Sequence, residues 1–349
     1  MNISSIARFI QMLDHELQEN PACKIVYCVN IGRRELTNAV FLLGAYLILR
    51  LGEAAADAIS SFAWLNSEMV ETYRDATYSR VDFGLSIEDC WRGLEKGIQH
   101  GWIRYNSVSS EWGKIDIDEY TELDSPLNAD LNKIVPDKLI AFRGPKDLEG
   151  ETYTDEEQSC RRFSPQHYVP LFRDLGVTDV VRLNQPEYDP AAFAAAGISH
   201  HDLPFDDCTA PPDAVVRRFL DIVDAAPGAV AVHCSAGLGR TGTLIGLWLM
   251  RREGFAAREA MGWLRIMRPG SVIGEQQHYL CGVEAGLPEA GFGEGRDAPS
   301  AAARVLASQV AAGSLRRHAA LLNRKRPGPG PMAHSEGQAQ ACPGSCEPA

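Results

Sequence analysis

The chain of 349 residues carries 34 Lys and Arg against 46 Asp and Glu, a formal charge of −12 that argues against wholesale binding to nucleic acid and favours basic partners. With 45% hydrophobic residues there is material for sizeable cores, and the length suits two domains of ordinary size plus something extra. The first residues, Met-Asn-Ile-Ser-Ser-Ile-Ala-Arg-Phe, lack the apolar core of a signal peptide, the run Ala39 to Leu49 is too short for membrane insertion, and nine scattered cysteines spell no zinc pattern, so a reduced cytosolic or nuclear setting is expected.

Residues 3–18 read as a short amphipathic helix and Lys24 to Cys28 as an apolar strand. Glu35 to Arg50 is an apolar helix and Glu53 to Leu65 an alanine-rich one. Ser86 to Gln99 is a further helix, with Ile87, Leu94 and Ile98 at core spacing. The acidic stretch Asp116 to Asp124, with Tyr120 in its middle, reads as a loop or short turn. A new unit begins near Asn132. In it Lys138 to Phe142 is a strand, Ser164 to Leu175 a helix, Asp179 to Leu183 a buried strand and Ser199 to Leu203 a short one. Pro211 and Pro212 open the next helix, where proline costs no hydrogen bond, and Val215, Phe219, Ile222 and Val223 give it one apolar face. A strand to His233 follows, then helices Thr241 to Arg252, Ala256 to Met267 and one from Glu275. Strands alternating with helices indicate an α/β domain with a largely parallel sheet. The expected division is 1–131, 132–290 and a low-complexity tail, 291–349, disordered over 327–349, with a short basic run, Asn323-Arg-Lys-Arg-Pro327.

The stretch 228–243 reads Gly-Ala-Val-Ala-Val-His-Cys-Ser-Ala-Gly-Leu-Gly-Arg-Thr-Gly-Thr. A buried strand should end at His233, a loop follow and a helix open near Arg240. Gly237, Gly239 and Gly242 let the backbone fold closely round a ligand. A loop at a helix N-terminus gathers unpaired amides, here those of Ser235, Ala236, Gly237, Leu238 and Gly239, round a tetrahedral oxyanion. The helix dipole and those amides favour the thiolate of Cys234. Arg240 offers a planar fork to two phosphate oxygens. Nucleophile, anion cradle and fixed cation describe phosphoryl transfer through a cysteinyl-phosphate, with Thr241 donating to the sulfur and helping it leave. No metal and no cofactor are needed.

A weaker copy of this pattern lies upstream. Cys28-Val-Asn-Ile-Gly-Arg-Arg34 also follows an apolar stretch and precedes an apolar helix. It lacks the preceding His and has Glu35 where the second copy has Thr241, and a carboxylate there would repel phosphate. The first half therefore reads as a duplicated, non-catalytic phosphatase-like domain.

Turnover also needs an acid for the leaving alkoxide. Leu203-Pro-Phe-Asp-Asp-Cys-Thr-Ala-Pro-Pro212 can fold over the phosphate, with Asp206 and Asp207 as the acids, one of which can instead cap the following helix or turn. Hydrolysis of a phosphoenzyme needs a positioned water, and Gln276 or Gln277, after Ser271-Val-Ile-Gly-Glu275, can hold it without being phosphorylated.

His233-Cys-Ser-Ala-Gly-Leu-Gly-Arg-Thr-Gly-Thr243, followed by Arg265-Ile-Met-Arg-Pro-Gly-Ser-Val-Ile-Gly-Glu-Gln-Gln277, resembles the cell-division-cycle-14 family of dual-specificity phosphatases. Asn38-Ala-Val-Phe-Leu-Leu-Gly-Ala-Tyr46, Tyr73-Arg-Asp-Ala76, Gly97-Ile-Gln-His-Gly101, Asp116-Ile-Asp-Glu-Tyr120, Ile134-Val-Pro136 and Val181-Arg-Leu-Asn184 extend the resemblance over residues 20–285. It implies an α/β fold of two tandem protein-tyrosine-phosphatase-like domains, the second catalytic. It implies phosphoprotein substrates with phosphoserine or phosphothreonine before proline and a basic residue following, and a place in cell-cycle or mitotic-exit control. A nucleolar, centrosomal or spindle location goes with it. It selects Asp207 over Asp206 as the acid. It places an acidic groove at the domain junction, for which Glu119, Glu122 and Asp124 are the nominees.

Three departures stand out. Ser235 replaces a loop lysine, Cys208 a glycine after the acid, and Glu275 a proline before the glutamines. The family also carries strand-rich sequence before the part resembling Ile3, so the first domain is expected to lack opening strands. Cys208 could trap an oxidised Cys234 as a disulfide if their Cα atoms come within about 7 Å, with Cys160 the next candidate. A phosphoinositide phosphatase is disfavoured by the uncharged Ser235 and Leu238, and a phosphoprotein-binding module by the presence of Cys234, Arg240, Thr241 and an acid.

Overall fold

A computed structural model describes residues 1–77, 82–109, 111–156 and 160–286. The expected tail disorder and basic run lie outside the described residues. The first half is mostly helical. Helix α1 (Ile3–Glu19) starts at Asn2, whose side chain accepts from the Ser5 amide at 3.0 Å, and buries Ile3, Ile6 and Ile10. Helix α2 (Arg33–Leu49) is apolar on most sides and mostly buried. Helix α3 (Ala55–Ser61) ends earlier than the alanine-rich pattern suggested. Helix α4 (Ile87–Gln99) opens with a Ser86–Asp89 capping box. A two-stranded antiparallel sheet, β1 (Ile103–Asn106) and β2 (Glu111–Gly113), follows.

Two segments differ from their expected structure. Lys24 to Cys28 is not a strand. No described strand pairs with it, so it has no ladder to join, and Val26 and Ile31 lie exposed. The upstream copy of the strand–loop–helix pattern thus has its helix, α2, without its strand. The acidic stretch is not a loop but helix α5 (Ile117–Asp124). Asp116 caps it, accepting from the Asp118 and Glu119 amides at 2.9 Å, and the helix buries Tyr120 and Leu123.

The second half is built on a five-stranded sheet. Strand β3 (Leu131–Val135) pairs antiparallel with β4 (Leu139–Phe142). A small hairpin, β5 (Tyr153–Glu156) and β6 (Cys160–Phe163), lies outside the main sheet, and helix α6 (Pro165–Asp174) follows. Then come β7 (Val177–Arg182), α7 (Ala191–Ala195), β8 (Ser199–Asp202), α8 (Asp213–Ala225) and β9 (Ala229–His233). Helices α9 (Gly239–Arg252), α10 (Ala257–Met267) and α11 (Glu275–Gly286) close the described chain. Sheet order is β3-β4-β9-β7-β8, and β4, β9, β7 and β8 run parallel. Every residue of β9 is buried, as a central parallel strand covered on both faces requires. Its C-terminal end therefore opens at the middle of the sheet, where α/β folds place ligands. No helix among the described residues is long and apolar enough to cross a membrane.

One hydrophobic core joins the helices of the first half to α9 and α10, and a second fills the opposite face of the sheet. The joint is close. A Cβ on Gly93 of α4 would lie 2.5 Å from the Glu259 carbonyl oxygen and the Trp263 amide nitrogen of α10, and one on Gly262 would strike the Asp89 carbonyl. Trp263 reaches past this joint to donate to the Ile134 carbonyl at 3.0 Å. Gly93→Ala should force these backbones apart, costing roughly 1–3 kcal/mol and several degrees of thermal midpoint. Gly282→Ala, where a Cβ meets nothing within 4 Å, is the control and should be neutral or stabilising. Equal melting curves for the two variants would remove the close approach as a source of stability.

Candidate active site

The loop 234–238 leaves β9 at its C-terminal end and runs into α9. Cys234 is buried at its start, Ser235 and Ala236 are exposed, and Leu238 is half-buried. Gly237 sits at φ +70°, and a Cβ there would strike the Phe142 carbonyl, so only glycine fits. The loop carbonyls are tied away from one another's amides. Ser235 O accepts from the Gly144 amide at 3.0 Å, and Ala236 O and Gly237 O accept from Arg268 at 3.0 and 2.9 Å. In a trans peptide the N–H points opposite the carbonyl. Pinning these three carbonyls therefore turns the amides of Ala236, Gly237 and Leu238 to the other side, where an oxyanion can collect them.

Arg240 is buried at the far end of the loop. One terminal nitrogen donates to Phe205 O at 3.0 Å and more weakly to Leu183 O at 3.4 Å. Its Nε lies 3.1 Å from Asp207 Oδ1, within ion-pair range, but the N–H is not aimed at an acceptor and forms no hydrogen bond among the described residues. Distance sets the charge attraction, so we treat the two as an ion pair. Thr241 is fully buried, and its hydroxyl also has no hydrogen-bond partner among the described residues. The expected donation to the Cys234 sulfur is thus not formed in this conformation.

The acid loop separates its two aspartates. Asp207 meets Arg240, while Asp206 is exposed and its carbonyl accepts from the Thr209 hydroxyl at 2.8 Å. Cys208 is exposed and adopts φ +59°, a conformation that favours glycine. Partial burial and the neighbouring Asp207 push its thiol up, which slows attack on an oxidised sulfur at neutral pH. Cys208, Cys234 and Cys160 are not joined in disulfides.

The two glutamines also divide. Gln277 is bonded at both ends of its amide: Oε1 accepts from Arg265 at 2.7 Å, and Nε2 donates to Asp75 at 3.2 Å and Gly274 O at 3.3 Å. Gln276 instead lies between the two loops. Its Nε2 donates to Thr209 O at 3.1 Å, and its Oε1 accepts from the Ile273 amide at 3.3 Å and would be 3.0 Å from a Cβ on Gly239. Gln276 is therefore the amide placed to reach a group on the phosphate loop. Of the three acidic nominees on α5, Glu119 is ion-paired with Lys133. Asp124 accepts from Asn2 at 3.2 Å and Asn132 at 2.8 Å. Glu122 is exposed beside Leu127, Tyr153, Arg161 and His167 in a surface groove.

Sequence reading missed the residues behind the loop. Arg268 makes five hydrogen bonds, to Ala236 O, Gly237 O, Asp130 O, Asp130 Oδ1 and Asn132 Oδ1. The one available signal was its presence in the Arg265-Ile-Met-Arg268 stretch. On the other side, His233 Nδ1 lies 3.0 Å from Cys234 O, which can only accept, so that nitrogen carries the hydrogen. Its Nε2 then accepts from the Tyr188 hydroxyl at 2.7 Å, and Tyr188 in turn accepts from His200 Nε2 at 2.8 Å. Arg182 steadies this chain, forking onto Asp202 at 2.6 and 3.0 Å and donating to Tyr188 O at 2.8 Å.

Burial pulls His233 down to about 3 and His200 to about 4. An unfolded histidine takes up a proton near pH 6.5, which both folded residues refuse. Their contribution is complete above pH 6.5 and is lost as pH falls towards 4 and 3. The loss is at most about 1.4 kcal/mol per pH unit for each histidine. Urea midpoints should fall between pH 7.5 and 5, and His200→Gln should make the fall shallower. A wild-type midpoint flat over that range would mean that these rings are not held neutral.

Residues 1–97 match the family described as "Dual specificity protein phosphatase, N-terminal half", and residues 162–254 match "Polymorphic toxin system, DSP-PTPase phosphatase". The dual specificity protein phosphatase CDC14B of Mus musculus is 36% identical over 282 residues, covering 80% of this chain and 56% of its own length. CDC14AB of Danio rerio is 38% identical over 289 residues, covering 82% and 45%. The tyrosine-protein phosphatase CDC14 of Saccharomyces cerevisiae is 33% identical over 286 residues, covering 80% and 50%. The chain thus spans about half the length of the curated relatives it matches. Among solved structures, a protein tyrosine phosphatase from Leishmania major aligns at 26% identity and TM-score 0.35, over 42% of this chain and 88% of that one. Identity carried through four-fifths of the chain, across both the helical half and the phosphate loop, makes it a member of the cell-division-cycle-14 family of dual-specificity phosphatases.

Proposed function

We propose that this chain is a protein phosphatase, cleaving phosphoserine and phosphothreonine at proline-directed sites and also phosphotyrosine, in cell-cycle or mitotic-exit control. The observation that carries the reading is one loop with buried Cys234 at one end, Arg240 clamped at the other, and Asp207 3.1 Å from that arginine. On this reading residues 132–290 perform the chemistry and residues 1–131 shape and support the site. A nuclear or cytoplasmic place of action goes with it.

The phosphoryl group sits on the inward amides of residues 235–239 and on Arg240. A dianion there favours the protonated form of a neighbouring carboxyl. The Cys234 thiolate attacks phosphorus, and the S–P bond forms as the bond to the leaving oxygen breaks. Asp207 gives that oxygen its proton. Water then enters, held by Gln276, and Asp207 takes its proton as the new P–O bond forms. The S–P bond breaks, with the unpartnered Thr241 hydroxyl free to donate to the departing sulfur, and phosphate leaves.

Cys234→Ser should abolish turnover of para-nitrophenyl phosphate while phosphopeptide binding persists; residual turnover above a few per cent would exclude Cys234 as the nucleophile. Arg240→Lys keeps the charge but loses the fork, and kcat/KM should fall by about 10² or more, a few kcal/mol of transition-state stabilisation.

Asp207→Asn should cost roughly 10²–10⁴ on phosphoserine peptides and less on aryl phosphates, whose leaving groups need the proton less. The same pattern in Asp206→Asn instead would move the acid by one residue.

The preference for a basic residue after Ser-Pro is assigned to α5. Because Asp124 anchors Asn132, the test uses Glu119→Gln with Glu122→Gln. An exposed pair contributes only about 0.2–1 kcal/mol, so the preference for Lys over Ala should flatten several-fold, with para-nitrophenyl phosphate turnover as reference. An unchanged preference would remove the groove from this helix.

A further inference from the structure

The stretch Tyr73-Arg-Asp-Ala76 belongs to the helical half, yet it grips the loop that carries the glutamines. Asp75 Oδ2 accepts from the Gly274 amide at 2.8 Å and from Gln277 Nε2 at 3.2 Å. Its Oδ1 is held by the Thr77 amide at 3.2 Å and the Thr77 hydroxyl at 2.7 Å, which fixes the carboxylate on its own turn. Two residues earlier, Tyr73 O accepts from Arg265 at 2.6 Å, and Arg265 donates to Gln277 Oε1 at 2.7 Å. Tyr73, Arg265, Gln277 and Asp75 thus close a ring between the halves.

The loop inside that ring is strained. Val272, a β-branched residue, sits at φ +61°, between Gly270 at +88° and Gly274 at +53°. Such a conformation persists only where its surroundings over-determine it. Arg265 holds the Ser271 and Val272 carbonyls at 2.5 and 3.0 Å, and the Val272 amide donates to Leu238 O on the phosphate loop at 3.2 Å. Asp75 is the anchor that the helical half supplies to the segment leading to Gln276, beyond the bond from Gln276 Nε2 to Thr209 O. Partial burial opposes its charge, but the hydrogen bonds from Gly274 and Thr77 outweigh this and hold the carboxyl below its usual range.

We infer that Asp75 is a positioning residue for the phosphoenzyme-hydrolysis step, supplied by the half that carries no nucleophile. It touches neither substrate nor sulfur. It holds Gly274 and Gln277 so that the adjoining Gln276 is presented beside Gly239, where the water must stand. The inference rests on the phosphatase reading above. It separates the two chemical steps, because forming the S–P bond uses Cys234, Arg240 and Asp207, and only breaking it with water uses Gln276.

The test is Asp75→Asn on para-nitrophenyl phosphate, which has no peptide to bind, with rapid mixing to follow the first turnover. The variant should release a burst of nitrophenol approaching one equivalent per enzyme. Its kcat should fall about tenfold and its kcat/KM stay within twofold of wild type. Gln277→Ala should give the same split, and the double variant should be no slower than the slower single one. A parallel fall in kcat and kcat/KM, or no change in either, would overturn the inference. Amide hydrogen exchange gives a second readout independent of turnover: Gly274 to Gln277 should exchange faster in Asp75→Asn, and unchanged exchange would overturn the anchoring. A wild-type chain with no Cys234-dependent turnover would sink the phosphatase reading, and exchange would still decide the anchor.

Discussion

A loop can hold an anion only if its carbonyl oxygens are drawn off it. Arg268 does much of that work. One planar guanidinium takes the carbonyls of Ala236 and Gly237 from behind, and the amide edges of those peptides turn to the other side. The cost of burying that cation is offset by the Asp130 carboxylate at 2.7 Å and by full use of its donors. The support runs further back. Asn132 accepts from Arg268 at 2.6 Å and donates to Asp124 at 2.8 Å, so helix α5 is tied to the loop through two side chains. Asp124, one of the nominees for the acidic groove, is thus also a strut of the loop's support.

The same dependence explains why the helical half is not an appendage. Its core is continuous with that of α9 and α10, and two glycines let α4 and α10 approach at backbone distance. Arg258 extends the joint, forking onto Asp89 at 3.0 and 2.8 Å. Apolar packing gives such a joint its strength and the charged groups at its edge set its register. The site then receives walls from both halves, with α5 behind the phosphate loop and residues 73–77 against the glutamine loop.

Neighbouring residues of one kind do different work here. Asp207 pairs with Arg240 while its neighbour Asp206 is exposed, and Gln276 and Gln277, one step apart along the backbone, bond to different partners. The adjoining amides and carbonyls decide which member is occupied. Gln277 has both amide hydrogens engaged by Asp75 and Gly274, whereas Gln276 spans the gap between the acid loop and Gly239. Cys208 is a related case. Its left-handed backbone shapes the acid loop in a position that suits glycine.

Much of this was legible in the chain itself. Cys234, five residues and Arg240 after an apolar strand carry their chemistry in local order, because a strand end, a glycine-rich turn and a helix start are contiguous. The parallel strands at Asp179 and Ser199 and the helices at Pro212, Ala256 and Glu275 were legible for the same reason: their apolar periodicity is written within a dozen residues. Lys24 to Cys28 has the composition of a strand, but a strand exists only where a neighbour completes its hydrogen bonds, and that is a long-range fact. The helix at Asp116 was hidden because its charged face outweighs its two buried residues, Tyr120 and Leu123. The links Arg268 to Gly237, Asp124 to Asn132 to Arg268, and Asp75 to Gln277 had no local signature at all. Each joins groups 31, 8, 136 and 202 residues apart in sequence. Their partners are chosen by which polar groups folding leaves buried and in need of a hydrogen bond, and only the tertiary structure decides that.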